Sequence, residues 1–211
     1  MIRIALVDDH PIVLTGLNAA LATVGDVEIV ANGATLTEAR AIAARDDVDV
    51  LLLDVRLPDG NGLELLEDIS RRGRPAVLIL STFRSRQYIA AALRFGANGF
   101  LLKTTPLEEL LAAIRAVAAG GAAFTTEQIR DGQAGYVNLT TRERDIIRYV
   151  LAGKSNDEIA VLLKTARKTV EYHLSRMYER FGVPTRIELA LRADHEGWLE
   201  IEPSSHHQLG T

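Results

Sequence analysis

Asp54 stands at the end of the apolar run Val50-Leu51-Leu52-Leu53, a setting in which a carboxylate needs a chemical reason to be present. Asp8-Asp9 follows a second run, Ile2-Arg3-Ile4-Ala5-Leu6-Val7, and Lys103 follows a third, Gly99-Phe100-Leu101-Leu102. Ser81 closes a fourth. Carboxylates gathered in one place repel one another, so they either take up a proton or bind a hard cation. Mg²⁺ suits such a site, because it prefers oxygen ligands and keeps positions for water and phosphate oxygens. With the metal present, Asp54 can attack phosphorus as a nucleophile. Lys103 and the metal would then neutralise the equatorial oxygens, with a hydrogen bond from Ser81. Each residue alone has a plainer reading: an Asp-Asp pair is often a turn or helix cap, and a lysine is usually a surface charge. Their convergence on strand ends is what argues for a site.

The elements that must position them follow from the hydrophobic pattern. Short Val/Ile/Leu-rich runs at 2–7, 27–31, 50–53, 76–80 and 99–102 alternate with amphipathic stretches near 12–23, 36–45, 62–72, 86–95 and 106–118. Strands buried on both faces and alternating with helices imply a parallel sheet covered on both sides. Five units favour a doubly wound, flavodoxin-like α/β sheet, in which ligands sit outside the carboxyl ends of the strands. Asp8, Asp9, Asp54, Ser81 and Lys103 all lie just past such ends.

Gly120-Gly121-Ala122-Ala123 breaks the pattern, and 119–138 reads as linker with room for a short helix. The remainder, 139–200, reads as a small all-α domain. Its helices are expected over about 141–152, 156–163, 167–181 and 186–196. Thr140–Glu143, Ser155–Glu158 and Thr185–Glu188 have the spacing of capping boxes, and Gly182 is placed to end the third helix. Residues 201–211 are polar and expected to form a flexible tail.

Apolar residues make up 47% of 211, enough for a core, and the absence of cysteine excludes disulfides and thiolate metal sites. No secretory signal pattern and no membrane-length apolar run is visible, so a soluble, cytoplasmic protein with no membrane partner is expected. The net charge of −4 is uneven. Residues 1–138 carry 13 basic and 17 acidic side chains, whereas 139–200 carry 11 and 10. Within 164–180 five basic residues face two acidic ones, a weak hint of phosphate contact. The stretch 155–182 also fits a helix-turn-helix, which places its second helix in the major groove.

Several segments carry a resemblance. Val7-Asp8-Asp9-His10, the run Leu53-Asp54 through Asn61-Gly62, Leu80-Ser81 and Gly96 through Lys103 make residues 1–118 similar to the receiver domain of two-component response regulators. Leu139 through Arg144, Ser155 through Ala160 and Lys168 through Leu174 make 139–195 similar to LuxR-type DNA-binding domains. Together the chain resembles a NarL/FixJ-type regulator. That resemblance implies Asp54 as phosphoacceptor, with Asp8, Asp9, Asp54 and the backbone carbonyl of Arg56 on Mg²⁺. It further implies Ser81 and Phe100 as a switch pair, the ring turning inward. A sensor histidine kinase, double-stranded DNA, RNA polymerase and a second copy on activation are the implied partners. For base contact the candidates are Lys168, Glu171, Tyr172 and Ser175. For phosphate contact they are Lys164, Arg167, Thr169, Arg176 and Arg180.

The chain departs from the family pattern in three places. Thr104 follows Lys103 where many receivers have proline. Ala166 precedes the recognition helix where a serine is common, so Thr165 is a candidate cap in a shifted register. Glu171 stands where a basic residue is frequent, and it either reads a base or points to a neighbouring arginine. Two rival readings are a phosphorylation-independent DNA binder and, on the same acid cluster, an aspartyl-phosphate phosphatase. The intact acid, serine and lysine set argues against the first, and the lack of a second acid/base near Asp54 against the other.

Overall fold

The computed structural model describes residues 1–82, 84–133 and 137–199. The chain forms two compact units that divide between residues 136 and 137. The first contains β1 (Ile2–Val7), α1 (Pro11–Leu21), β2 (Val27–Gly33), α2 (Leu36–Ala43) and β3 (Val50–Asp54). A small hairpin follows, β4 (Arg56–Leu57) with β5 (Gly60–Asn61), then a 3-10 turn at Gly62–Leu65 and α3 (Leu66–Arg72). β6 (Ala76–Ser81), α4 (Arg86–Arg94), β7 (Gly99–Leu102), α5 (Leu107–Ala118) and α6 (Thr126–Gln133) complete the unit.

The five long strands run parallel in the order β2-β1-β3-β6-β7. Strand order reverses between β1 and β3, which opens a crevice at their carboxyl ends. The strand sequences are almost continuously apolar because both faces are covered. Ile4, Leu6, Val50, Leu52, Leu78 and Leu80 pack with Leu21, Leu110, Ile114 and Val117 of α1 and α5. The alternate residues Ala5, Val7, Leu51, Leu53, Val77 and Ile79 are buried as well. The segment expected as one helix over 62–72 instead begins as a 3-10 turn. Asn61 caps it: Oδ1 accepts from the Leu63 N–H at 2.9 Å, and the Asn61 N–H donates to Glu64 Oε1 at 3.2 Å.

The segment read as linker contributes to the first unit. The Ala123 N–H donates to the Asn98 carbonyl at 2.7 Å, and its carbonyl accepts from the Phe100 N–H at 3.3 Å, bridging to the sheet edge. α6 then lies against α4, close enough that a Cβ on Gly132 would meet Leu93 Cδ1 at 2.2 Å.

The second unit holds α7 (Thr141–Leu151), α8 (Asn156–Leu162), α9 (Arg167–Phe181) and α10 (Arg186–His195). Ile146, Ile147, Ile159, Val170, Leu174, Met177, Leu189 and Trp198 form its core. Truncating Leu174 to alanine would cost about 2–5 kcal/mol by transfer and cavity terms. Thr140–Glu143 and Ser155–Glu158 close complete capping boxes at the starts of α7 and α8. The third box forms only by half. Thr185 accepts from the Glu188 N–H, but its hydroxyl donates to Glu188 Oε1 at 3.3 Å in place of the reciprocal backbone bond. Gly182, at φ +63°, ends α9 in the left-handed conformation expected of it. Among the described residues no helix is long and apolar enough to cross a membrane; residues 201–211 lie outside them.

Candidate functional site

The crevice between β1 and β3 gathers the residues singled out from the sequence. Asp8 and Asp54, at the ends of those two strands, are 2% and 3% exposed, and Ser81 at the end of β6 is equally buried. Lys103 follows β7, and its ammonium lies 2.6 Å from both Asp54 Oδ2 and Asp8 Oδ2. The contact to Asp54 is an aligned hydrogen bond. The contact to Asp8 is a close charge pair. Asp9 is exposed at the rim, where its Oδ1 meets His10 Nδ1 at 2.6 Å. His10 Nδ1 also lies 3.1 Å from Asp8 Oδ1, and the His10 backbone N–H donates to the same oxygen at 2.9 Å.

Burial pushes the Asp54 carboxyl above its ordinary range, against the opposing hydrogen bond and charge of Lys103. Burial works against the charge of Lys103 too, but its bond to Asp54 and the nearness of Asp8 outweigh this and raise its pKa. Two buried carboxylates against one ammonium leave the crevice short of positive charge. Asp8, Asp9, His10 and Asp54 each offer a ligand atom within 4.8 Å of the others. Three carboxylates of this kind fit Mg²⁺, which prefers oxygen ligands.

The backbone around Asp54 is tightly set. The Arg56 N–H donates to Asp54 Oδ1 at 3.3 Å, and Arg56 Nε reaches the Tyr88 hydroxyl at 3.4 Å. A Cβ on Gly62 would stand 2.1 Å from the Asp54 carbonyl oxygen, so only glycine allows the chain to pass. Nothing local in the sequence marks Gly62 for this part, because the constraint comes from the backbone of Asp54. Phe100 is fully buried, its side chain already inward. The Phe100 carbonyl accepts from Gln128 Nε2 of α6 at 2.9 Å.

In the second unit, α8 and α9 form the helix-turn-helix. The turn is a Schellman motif: the Thr165 N–H donates to the Ala160 carbonyl at 2.9 Å and the Lys164 N–H to Val161 at 3.2 Å. Lys164 occupies its left-handed position at φ +50°, where glycine is usual. Ala166 is the N-cap of α9 and supplies no side-chain bond, so Thr165 does not take over by a shift of register.

The buried stripe Val170, Leu174, Met177 fixes which face α9 turns outward. Lys168, Tyr172, Ser175 and Arg176 are exposed there, and Thr169 and Glu171 are half-buried. The basic residues differ in what holds them. Arg167 is paired with Asp157 at 3.1 Å and with Glu171 at 2.7 Å, so one Glu171 oxygen is turned toward a neighbouring arginine. Arg176 Nη1 donates to the Tyr172 hydroxyl at 3.2 Å. Arg180 is engaged within the fold, bonded to Glu143 at 3.2 Å and to the Asn138 carbonyl at 2.7 Å. Lys164 and Lys168 have no ion-pair partner among the described residues.

A doubly wound sheet with buried acids and a lysine at its switch point, followed by a helix-turn-helix unit, defines a receiver coupled to a DNA-binding module. The family model for the response regulator receiver domain matches residues 4–115, and that for bacterial regulatory proteins of the luxR family matches 137–193. The chain belongs to the NarL/FixJ-type response regulators, a family of DNA-binding transcription regulators. It is 33% identical over 200 residues to the transcriptional regulatory protein DesR of Bacillus subtilis, covering 95% of this chain and all of that one. It is 36% identical over 199 residues to UhpA of Escherichia coli, covering 94% and 100%. Among solved structures, the response regulator ChrA of a heme-sensing two-component system aligns with a TM-score of 0.57 and 30% identity, over 93% of this chain and 98% of that one. RcsB of Salmonella enterica serovar Typhimurium, bound to a promoter with a phosphomimetic, shares the fold with a TM-score of 0.66 at 24% identity, over 92% and 98%. DesR and UhpA are both transcriptional regulatory proteins.

Proposed function

We propose that this chain is a phosphorylation-controlled transcription regulator that accepts a phosphoryl group on Asp54 from a sensor histidine kinase. The observation that carries this reading is the Lys103 ammonium held 2.6 Å from both Asp8 and Asp54 at the switch point of the sheet. Asp8, Asp9, Asp54 and the Arg56 carbonyl are the groups that would hold Mg²⁺. When bound, that ion supplies positive charge beside the phosphoryl oxygens.

A carboxylate oxygen of Asp54 forms the new bond to phosphorus while the bond to the leaving group breaks, the leaving group keeping the electron pair. Lys103 opposes the effect of burial on Asp54 by favouring its ionised form, and it would neutralise a phosphoryl oxygen. The Ser81 hydroxyl donates to another, drawing the end of β6 inward beside Phe100. The protein's own chemistry is limited to this self-phosphorylation and slow self-dephosphorylation. Phosphate need stabilise one of two states by only a few kcal/mol to switch the output.

The output in this reading is a cytoplasmic homodimer that places two α9 helices in major grooves about one helical turn apart and engages RNA polymerase. Lys168, Tyr172 and Ser175 face base edges, with Lys164, Thr169 and Arg176 toward phosphates. Labelling with acetyl phosphate tests the reading, with oligomeric mass followed in parallel. Incorporation that needs Mg²⁺ and is lost in Asp54→Asn is the expected result. Absence of labelling from acetyl phosphate and from every candidate kinase, in folded protein with Mg²⁺ in excess, would leave a phosphorylation-independent DNA binder.

A further inference from the structure

Arg167 opens the recognition helix, yet it is poorly placed to neutralise DNA. Its Nε donates to Glu171 Oε1 at 2.7 Å and its Nη1 to Asp157 Oδ2 at 3.1 Å. Two carboxylates against one guanidinium leave the trio net negative. The pairs are exposed and so add little to stability. Within α9 the arginine also precedes the glutamate, the weaker order for a pair one turn apart. What the arrangement does provide is orientation. Glu171 Oε1 is fixed, and Oε2 makes no hydrogen bond among the described residues. The carboxylate sits within one turn of Lys168, Tyr172 and Ser175 on the outward side of the helix.

An ionised carboxylate only accepts hydrogen bonds. Of the base edges in a major groove, the exocyclic amino groups are the donors, and the cytosine amino group is the usual partner of glutamate. A phosphate would repel it. We propose that Glu171 is a specificity-determining residue that selects cytosine, and that Arg167 is a positioning residue that holds its carboxylate rather than a phosphate contact. The inference rests on the reading of α9 as the DNA-contacting helix.

The test is selection of binding sites from a random duplex pool by the full chain, with and without acetyl phosphate. Wild type is compared with Glu171→Ala, the near-isosteric Glu171→Gln and Arg167→Ala. Salt dependence is measured alongside on a duplex of unselected sequence. Wild type is expected to demand cytosine at one position of each half-site. Glu171→Ala should lose that demand by at least about fivefold while other positions hold, and Glu171→Gln should move it toward adenine. Arg167→Ala should weaken the same position and leave the salt slope unchanged. If Glu171→Ala and Glu171→Gln select the wild-type sequence, the assignment is overturned. A fall of about 0.9 in the log–log salt slope for Arg167→Ala, with base preference intact, would make Arg167 a phosphate contact and overturn its part. If wild type binds no duplex even at low salt, the DNA-binding reading of α9 fails first, and this inference with it.

Discussion

Arg84 lies three residues beyond Ser81, and its guanidinium meets Glu127 of α6 at 2.8 Å. Asp131, one turn further along α6, is 3.6 Å from Arg84 and 3.5 Å from Arg86. The stretch that follows Ser81 therefore holds α6. Gln128 on that helix is bonded in turn to the backbone of Phe100. Phe100 of the proposed switch pair is thus bonded to α6 directly, and Arg84, three residues along the chain from Ser81, is paired with it.

Arg84→Ala should loosen α6 without unfolding the sheet. The short Arg84–Glu127 pair is exposed, so the effect on global stability is small. Hydrogen exchange of amides in 126–133 should accelerate by a few-fold, with the amides of β1 and β3 unchanged. Exchange that stays at the wild-type rate in α6 would show that α4 packing alone holds it.

Gly62→Ala should damage phosphorylation out of proportion to its size. A methyl group 2.1 Å from the Asp54 carbonyl oxygen forces the backbone of the acceptor to move. Overpacking of this kind costs about 1–3 kcal/mol, which denaturant unfolding would read. Acetyl phosphate labelling should fall by tenfold or more in protein that remains folded.

The capping box of α8 should show itself in acid. Hydrogen bonds from the Ser155 backbone, Lys154 and the Ser155 side chain lower the Glu158 pKa from 4.5 to about 2. A folded-state pKa below the unfolded value gives stability that is complete above 4.5 and is lost as pH falls toward 2. The difference in Tm between wild type and Glu158→Gln should therefore be constant above pH 5 and close between 4.5 and 2. A gap that does not change across that range would assign the cap to geometry alone.

Lys164→Gly should separate stability from binding. A side chain in the left-handed region costs about 1 kcal/mol that glycine avoids, so urea unfolding should report a gain of that order. DNA affinity should fall, and the log–log salt slope should shrink by about 0.9 as one phosphate contact is lost. Unchanged affinity would remove Lys164 from the interface.

How far the sequence could be read depended on where the information lay. The receiver strands were visible because burial on both faces makes them nearly continuous apolar runs, and Asp8, Asp54 and Lys103 are conspicuous for interrupting them. The boxes at Thr140 and Ser155 were visible because a cap is a local pattern. Pairings between helices were not. The pairing of Arg167 with Asp157, ten residues earlier on another helix, cannot be read from spacing alone. The part played by Gly62 was hidden for the same reason, since its constraint is the backbone of Asp54. The 119–133 segment read as linker because its contacts are made largely by small and polar residues, such as Ala123, Gln128 and Gly132.

α6 has eight residues. Helices that short are marginal on their own in water, so this one owes its form to α4 and to Arg84. Wound, it spans about 12 Å; drawn out, the same residues reach about 27 Å. Loss of those contacts would more than double the reach of that stretch of chain.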